Sequence, residues 1–250
     1  MRTPPILLVF ALITASTAAV AAVSRDVLWV VTQSCVVAKR TTGRAFPCLT
    51  VELGTASEPG FAVLKSPLLK TEVVVMPTDT VVGIEAPSLQ TAAGAAYWRA
   101  ALGARHFVTD ALRGRLALSD VAMAVNSQGG RSQDQLHIHL DCVQPTVRAA
   151  LRNHASAFGA AWAPLPFDLA GDRYWGMRIG AGDLDRLNPF ALVAQLPGPR
   201  SLRRTSFAVV GTSPDDFNPG AYLLAYRAPD SHAEWLLDHG CRLASPSAAE

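Results

Sequence analysis

From Arg25 onward the chain moves between runs with a strand period and runs with a helix period. Gly60 to Leu64 and Glu72 to Met76 are short apolar runs, and the second is β-branched and stopped by Pro77, which has no amide to give a ladder. Both are predicted strands. Pro87-Ser88 is a helix-start pair, and apolar positions then recur at Leu89, Ala92, Ala93, Ala96, Tyr97, Ala100 and Ala101 with a period of about 3.6. That helix is expected to pass Gly103 and reach about Leu112. Asp120 to Asn126 reads as a buried strand, Gly129-Gly130 turns the chain, and Gln135 to Cys142 returns as the partner strand. Pro145 opens a second helix to about Phe158. Trp162 to Arg204, rich in Pro and Gly, yields only a short helix from Asp183. Ser206 to Gly211 and Ala221 to Tyr226 form a late hairpin around Pro214 to Pro219. Ser231 caps a last helix ending near His239-Gly240. Arg25 to Cys35 alternates poorly and is expected as a short helix. The order β-β-α-β-β-α with a β-β-α tail predicts an α+β fold, a largely antiparallel sheet with flanking helices.

Period 2 in Gln135 to Cys142 sends Leu136, Ile138 and Leu140 toward a core and Gln135, His137, His139 and Asp141 to the other side. Just upstream, Ser127-Gln-Gly-Gly-Arg-Ser132 is a loop with glycines, hydroxyls and one guanidinium. Neutral imidazoles beside anion donors are what attack on a phosphorus centre asks for. Two other readings compete. His137 and His139, with Asp141 or a distant His106 as a third ligand, would make a metal-dependent phosphohydrolase. A non-catalytic exported protein that binds a nucleotide or lipid would keep the same strand for structure. His106, His154, His232 and His239 lack partners in sequence and read as helix-surface or capping residues. Lys65 reads as a polar boundary of its strand, although its length would let it reach a phosphate. Gln133 faces away by parity.

The chain has 250 residues, half of them hydrophobic and 17% charged, with a net charge of +2. This is globular composition, enough for one large domain or two small ones. A balance so near neutral argues against a nucleic-acid partner bound through phosphate contacts. Behind Met1-Arg2 and two prolines, Ile6 to Val23 is apolar except for Thr14, Ser16 and Thr17. That is about the shortest run able to cross a bilayer, and its Ala18-Ala-Val-Ala-Ala22 end also suits a signal peptidase. Residues 1–25 are therefore expected as an export segment, either a single-pass anchor or a cleaved signal. Four cysteines then fall in an oxidising compartment, with three pairings open to them. Cys35–Cys48 would close a short polar loop. Cys142–Cys241 would tie the C-terminus to the histidine strand and remove roughly 3–5 kcal/mol of unfolded-chain entropy. No Cys-x-x-Cys spacing points to zinc.

Gln135-Leu-His-Ile-His-Leu140 resembles the histidine-triad signature, in which histidines alternate with apolar residues, with Gln135 in the first histidine position. The flanks narrow the resemblance. Asn126, Arg131-Ser132-Gln133 and Cys142 are similar to the CDP-diacylglycerol pyrophosphatase branch. So are Val75-Met76-Pro77-Thr78, Gly83-Ile84-Glu85-x-Pro87, the apolar N-terminus and the closing Asp238-His239-x-Cys241. The likeness runs from about Asp26 to Arg242. It implies one histidine-triad-like hydrolase domain over 26–250, held at the extracytoplasmic side of the plasma membrane by residues 1–25. Its substrate would be CDP-diacylglycerol or a related nucleotide-lipid, split to CMP and phosphatidate with no cofactor and no metal. By resemblance His137 is the nucleophile that forms a nucleotidyl-histidine, and His139 is the third triad position. Ser132 and Asn126 contact phosphate or nucleotide, with Arg131 a further phosphate candidate. Gln135 can donate a hydrogen bond where histidine would stand, but carries neither charge nor proton. Oligomeric state has no reading in the sequence.

Overall fold

The computed structural model describes residues 25–213 and 215–245. Its frame is one antiparallel sheet. In chain order the strands are β1 (Thr50–Glu52), β2 (Phe61–Lys65), β3 (Val73–Pro77), β4 (Val121–Val125), β5 (Ile138–Cys142), β6 (Ala163–Pro164), β7 (Trp175–Gly180), β8 (Thr205–Gly211) and β9 (Gly220–Arg227). They lie side by side as β1-β2-β3-β5-β4-β8-β9-β7-β6. The helices are α1 (Val27–Thr42), α2 (Ala92–Ala111), α3 (Pro145–Asn153) and the short α4 (Pro189–Val193). The expected α+β class and antiparallel sheet are present.

Alternation along the strands explains which face is covered by what. Val63, Val75, Met123, Ile138, Leu140, Val209 and Leu223 form a first face packed on Tyr97, Trp98, Ala101 and Val108 of α2. Thr91 caps that helix, its hydroxyl accepting from the Ala93 amide. The second face is covered in two separate patches. Ala62, Leu64, Val74 and Met76 meet Cys35 and Val36 of α1. Ala122, Ala124, Ala208, Val210 and Leu224 meet Val147 and Leu151 of α3 together with Ala233, Leu236 and Leu237. The residues of β5 that point to this face fall in the seam between the patches. His139 pairs with Val74 of β3 on one side and Ala124 of β4 on the other. Apolar cover therefore stops where the histidines stand.

Several sequence expectations change. The helix expected over Arg25 to Cys35 runs on to Thr42, because Thr32, Cys35 and Val36 keep one face buried until Gly43 caps it at a left-handed φ of 73°. The second helix stops at Asn153 instead of Phe158, and the helix expected from Asp183 is a 3-10 stretch over Ala181–Arg186. Within the Pro/Gly-rich stretch, β7 pairs all six of its residues with β9. Gly176 belongs there for packing: a Cβ would lie 2.5 Å from the Phe158 ring. The last helix is only a 3-10 turn, Ala233–Leu236. Beyond it Leu237 bridges to Val143 and Cys241 is bonded to Cys142, so the chain is drawn back to the sheet. The export segment lies outside the described residues except for Arg25, and among the described residues no helix is long and apolar enough to cross a membrane.

Both expected disulfides are formed, Cys35–Cys48 and Cys142–Cys241, the latter closing a separation of 99 residues. Replacing Cys142 and Cys241 together by serine is expected to lower stability by roughly 4–5 kcal/mol, against about 3 kcal/mol for Cys35 and Cys48, because the first loop is far longer. Urea unfolding of the two double variants measures the difference.

Candidate active site

His137 and His139 stand on the same side of β5, their rings 4.8 Å apart edge to face. His137 is 6% exposed and His139 9%. The His137 Nδ1 lies 2.7 Å from the Gln135 carbonyl oxygen, which can only accept, so Nδ1 carries the proton. Nε2 is left with the lone pair. Burial, then the neighbouring His139, lower the His137 pKa from 6.5 to about 4, so the ring is neutral at pH 7.

Gln135 is fixed rather than free. Its Oε1 accepts from the Val81 amide at 3.1 Å, and its Nε2 donates to the carbonyls of Pro77 and Asp79 at 3.2 and 2.7 Å. The side chain thus locks the backbone whose carbonyl orients His137. Arg131 is also committed: its guanidinium makes a bidentate pair with Glu85 at 2.9 and 2.8 Å. Glu85 comes from the Gly83-Ile84-Glu85 segment. The glycine loop is a tight turn, with the Gly130 and Arg131 amides both donating to the Ser127 carbonyl. Those two amides face inward, not toward a bound oxyanion. Ser132 is exposed at the end of this turn.

Three residues outside the sequence-predicted site complete the cluster. Glu72 shares the facing of Val74, and its Oε1 is 2.9 Å from His139 Nδ1. Glu234, on the 3-10 turn, has its Oε1 3.4 Å from the same Nδ1, while Asn126 Nδ2 donates to its Oε2 at 2.8 Å. His239 Nδ1 donates to Asp141 Oδ2 at 2.8 Å, and its Nε2 is 3.6 Å from Glu234 Oε1. Hydrogen bonds to Asp141 and Glu234 raise His239 from 6.5 to about 10. Burial works to raise the Glu234 pKa, but His239, His139 and Asn126 outweigh it and hold it at about 2. His239 is thus no surface histidine. It had one sequence clue: with Cys142 bonded to Cys241, Asp141 and His239 must be neighbours.

Other candidates are not brought to this cluster. Lys65 ends β2 on the facing of Val63, away from the histidines. His106 bonds the Gly103 carbonyl and lines a cavity of about 810 Å³ between α2 and β2, on the first face. It is therefore unavailable as a third metal ligand with His137 and His139. His154 packs on Phe167 and His232 stacks on Trp235. Glu72, Glu234 and His239 have ligand atoms within 4.8 Å of one another and are the group best placed to hold a cation. His239 is hydrogen-bonded to Asp141 through Nδ1 and ion-paired with Glu234 through Nε2, so a metal would have to displace a proton there. A cavity of about 590 Å³, lined by Gln144, Ala170, Glu234, Trp235, Leu237 and His239, adjoins the cluster.

Two of these histidines set opposite limbs of stability. His137, depressed to about 4, contributes stability that is complete above pH 6.5 and lost as pH falls through 4. His239, raised to about 10, contributes stability that is complete below pH 6.5 and lost as pH rises through 10. Stability should peak near pH 6.5, and His239→Gln should flatten the alkaline limb while leaving the acid limb. Urea midpoints across this pH range check the assignment.

A family model described as CDP-diacylglycerol pyrophosphatase matches residues 23–245. The CDP-diacylglycerol pyrophosphatase of Yersinia pestis is 36% identical over 225 residues, covering 87% of this chain and 84% of that protein. The one of Mycobacterium bovis (strain BCG / Pasteur 1173P2) is 34% identical over 225 residues, covering 88% and 84%. Among solved structures, yeast Ap4A phosphorylase is similar over 69% of this chain and 58% of that one, at 14% identity and a TM-score of 0.36, too low to fix the fold. The family match spans β1 to β9 and the whole histidine cluster, and the two relatives agree with it along most of their own length: the chain belongs to the CDP-diacylglycerol pyrophosphatase family.

Proposed function

We propose that this chain hydrolyses the diphosphate of CDP-diacylglycerol or a closely related nucleotide-lipid, giving CMP and phosphatidate through a nucleotidyl-histidine on His137. The family supports the substrate. The observation that carries the chemistry is the state of His137: buried, uncharged, with Nδ1–H on a fixed carbonyl and the lone pair on Nε2. Nε2 attacks the cytidylyl phosphorus, the bond to the bridging oxygen breaks, and phosphatidate leaves with the bond pair. The ring gains positive charge as the P–N bond forms. The Gln135 carbonyl on Nδ1 stabilises it. Water then attacks the same phosphorus, the P–N bond breaks, and CMP departs.

His139 is assigned to the leaving or bridging oxygen, and Asn126 and Ser132 to the non-bridging oxygens. Gln135 and Arg131 are assigned to holding the loop and the nucleophile, given the partners they already have. The His-x-His strand at the middle of an antiparallel sheet also supports reading the fold as histidine-triad-like, over a single domain from residue 26 onward. Two disulfides suit an oxidising compartment, which supports an extracytoplasmic location for the domain. The apolar run Ile6 to Val23 would export it and keep it by the bilayer that presents a lipid-linked nucleotide.

His137→Ala is expected to lower kcat by on the order of 10⁴-fold or more, as loss of a nucleophile does. Acid-quenching is the wrong stop for a phosphoramidate, so the label from cytidine-labelled CDP-diacylglycerol should be trapped in base, where it survives, and lost in acid. Label mapped to the peptide holding His137 is the expected result. Full turnover by the alanine variant would remove His137 from the chemistry under either enzymatic reading, whereas activity that vanishes with a chelator and returns with zinc would favour the metal reading instead.

A further inference from the structure

We infer that His239 is a third group of this site that contacts substrate, binding the diphosphate at a position now filled by the Glu234 carboxylate; the inference rests on the reading that a diphosphate reaches His137. The donors around Glu234 carry it. Asn126 Nδ2 is 2.8 Å from Oε2, and His139 Nδ1 and His239 Nε2 are 3.4 and 3.6 Å from Oε1. Of these three, Asn126 is one the resemblance puts forward for phosphate or nucleotide, and His139 is the third triad position. A carboxylate gathered by such donors marks where an anion is bound, and a phosphate oxygen offers the same acceptor chemistry with more charge. The third donor, His239, then belongs to the same subsite.

The fold holds His239 for this task. Asp141 is fully buried, with Oδ1 accepting from the Cys142 amide at 2.8 Å and Oδ2 from His239 Nδ1 at 2.8 Å. Cys142 follows Asp141 directly, and its disulfide partner Cys241 lies just beyond His239. The covalent bridge thus staples the pair from both sides and aims Nε2 away from Asp141, toward Glu234. The His239 side chain is 31% exposed and borders the cavity of about 590 Å³, whereas His137 and His139 are nearly closed off. Charge points the same way. Gln135 brings none to the first triad position, and Arg131 is neutralised by Glu85. His239 differs from Arg131 in that its Nε2 faces the Glu234 carboxylate, the group that substrate would replace. Glu234, carried on a single 3-10 turn whose amide donates to Asn126 Oδ1 at 3.1 Å, is then an internal competitor that substrate displaces.

Binding of inorganic pyrophosphate, followed by calorimetry, tests this without reference to turnover. The wild type should bind it. His239→Gln should weaken binding by about tenfold or more, as loss of a charge-assisted hydrogen bond implies, and His239→Lys should recover part of that loss. Glu234→Gln should tighten binding. In wild type, the His239 ring resonances should shift as pyrophosphate saturates the site, a readout that survives any misfolding of the variants. No pyrophosphate binding by wild type, unchanged affinity in a folded His239→Gln, or a His239 resonance that does not move would each overturn the inference. The two readings separate cleanly. Pyrophosphate binding that depends on His239, without turnover of CDP-diacylglycerol, sinks the substrate and leaves this subsite standing. Turnover with an affinity indifferent to His239 does the reverse.

Discussion

The hydrogen bond from His137 Nδ1 to the Gln135 carbonyl is the contact on which the site turns. It decides which nitrogen carries the proton, and with burial it leaves a neutral ring with one lone pair in a fixed direction. Much of the architecture serves that carbonyl. The Gln135 side chain reaches three main-chain groups, one at the end of β3 and two in the segment after it, and Val82 bridges to Gln135. The adjoining loop is held by Arg131 on Glu85 and by Asp134 on Arg25 at 3.0 Å. Gln135 therefore has a structural use, which is to fix the acceptor and so the His137 ring.

Around this uncharged ring the protein concentrates charge. Glu72, Asp141 and Glu234 meet His139 and His239 in one network on the second face. Buried charges of this kind persist only when paired and hydrogen-bonded. Two histidines end in opposite protonation states: burial, then His139, push His137 to about 4, while hydrogen bonds to Asp141 and Glu234 raise His239 to about 10. Environments that separate the pKa values of like groups assign them different chemical duties. Here one is held as a neutral ring and the other as a cation, which suits the separate duties proposed for them.

Much of this was legible in the residues, for identifiable reasons. Strict period 2 from Leu136 to Leu140 forced His137, His139 and Asp141 to one side, because any slip would bury imidazole in the α2 core. The cysteine pairing was a favoured choice among three, and the structure forms it. β7 was illegible because its glycines look like turns, while Gly176 is there to admit the Phe158 ring. Glu72 hid as the polar first residue of a β-branched run. Glu234 and His239 come from an irregular C-terminal segment with no period to read, brought to β5 by a disulfide across 99 positions. Arg131 looked available for phosphate only while its partner Glu85, 46 positions away, was out of view.

The most direct measurement is the titration of the His137 ring by nitrogen-15 NMR. The account predicts an ionisation near pH 4 and, at pH 7, a neutral ring protonated on Nδ1 alone. A ring that titrates near its ordinary value of about 6.5, or one whose proton sits on Nε2, would contradict it.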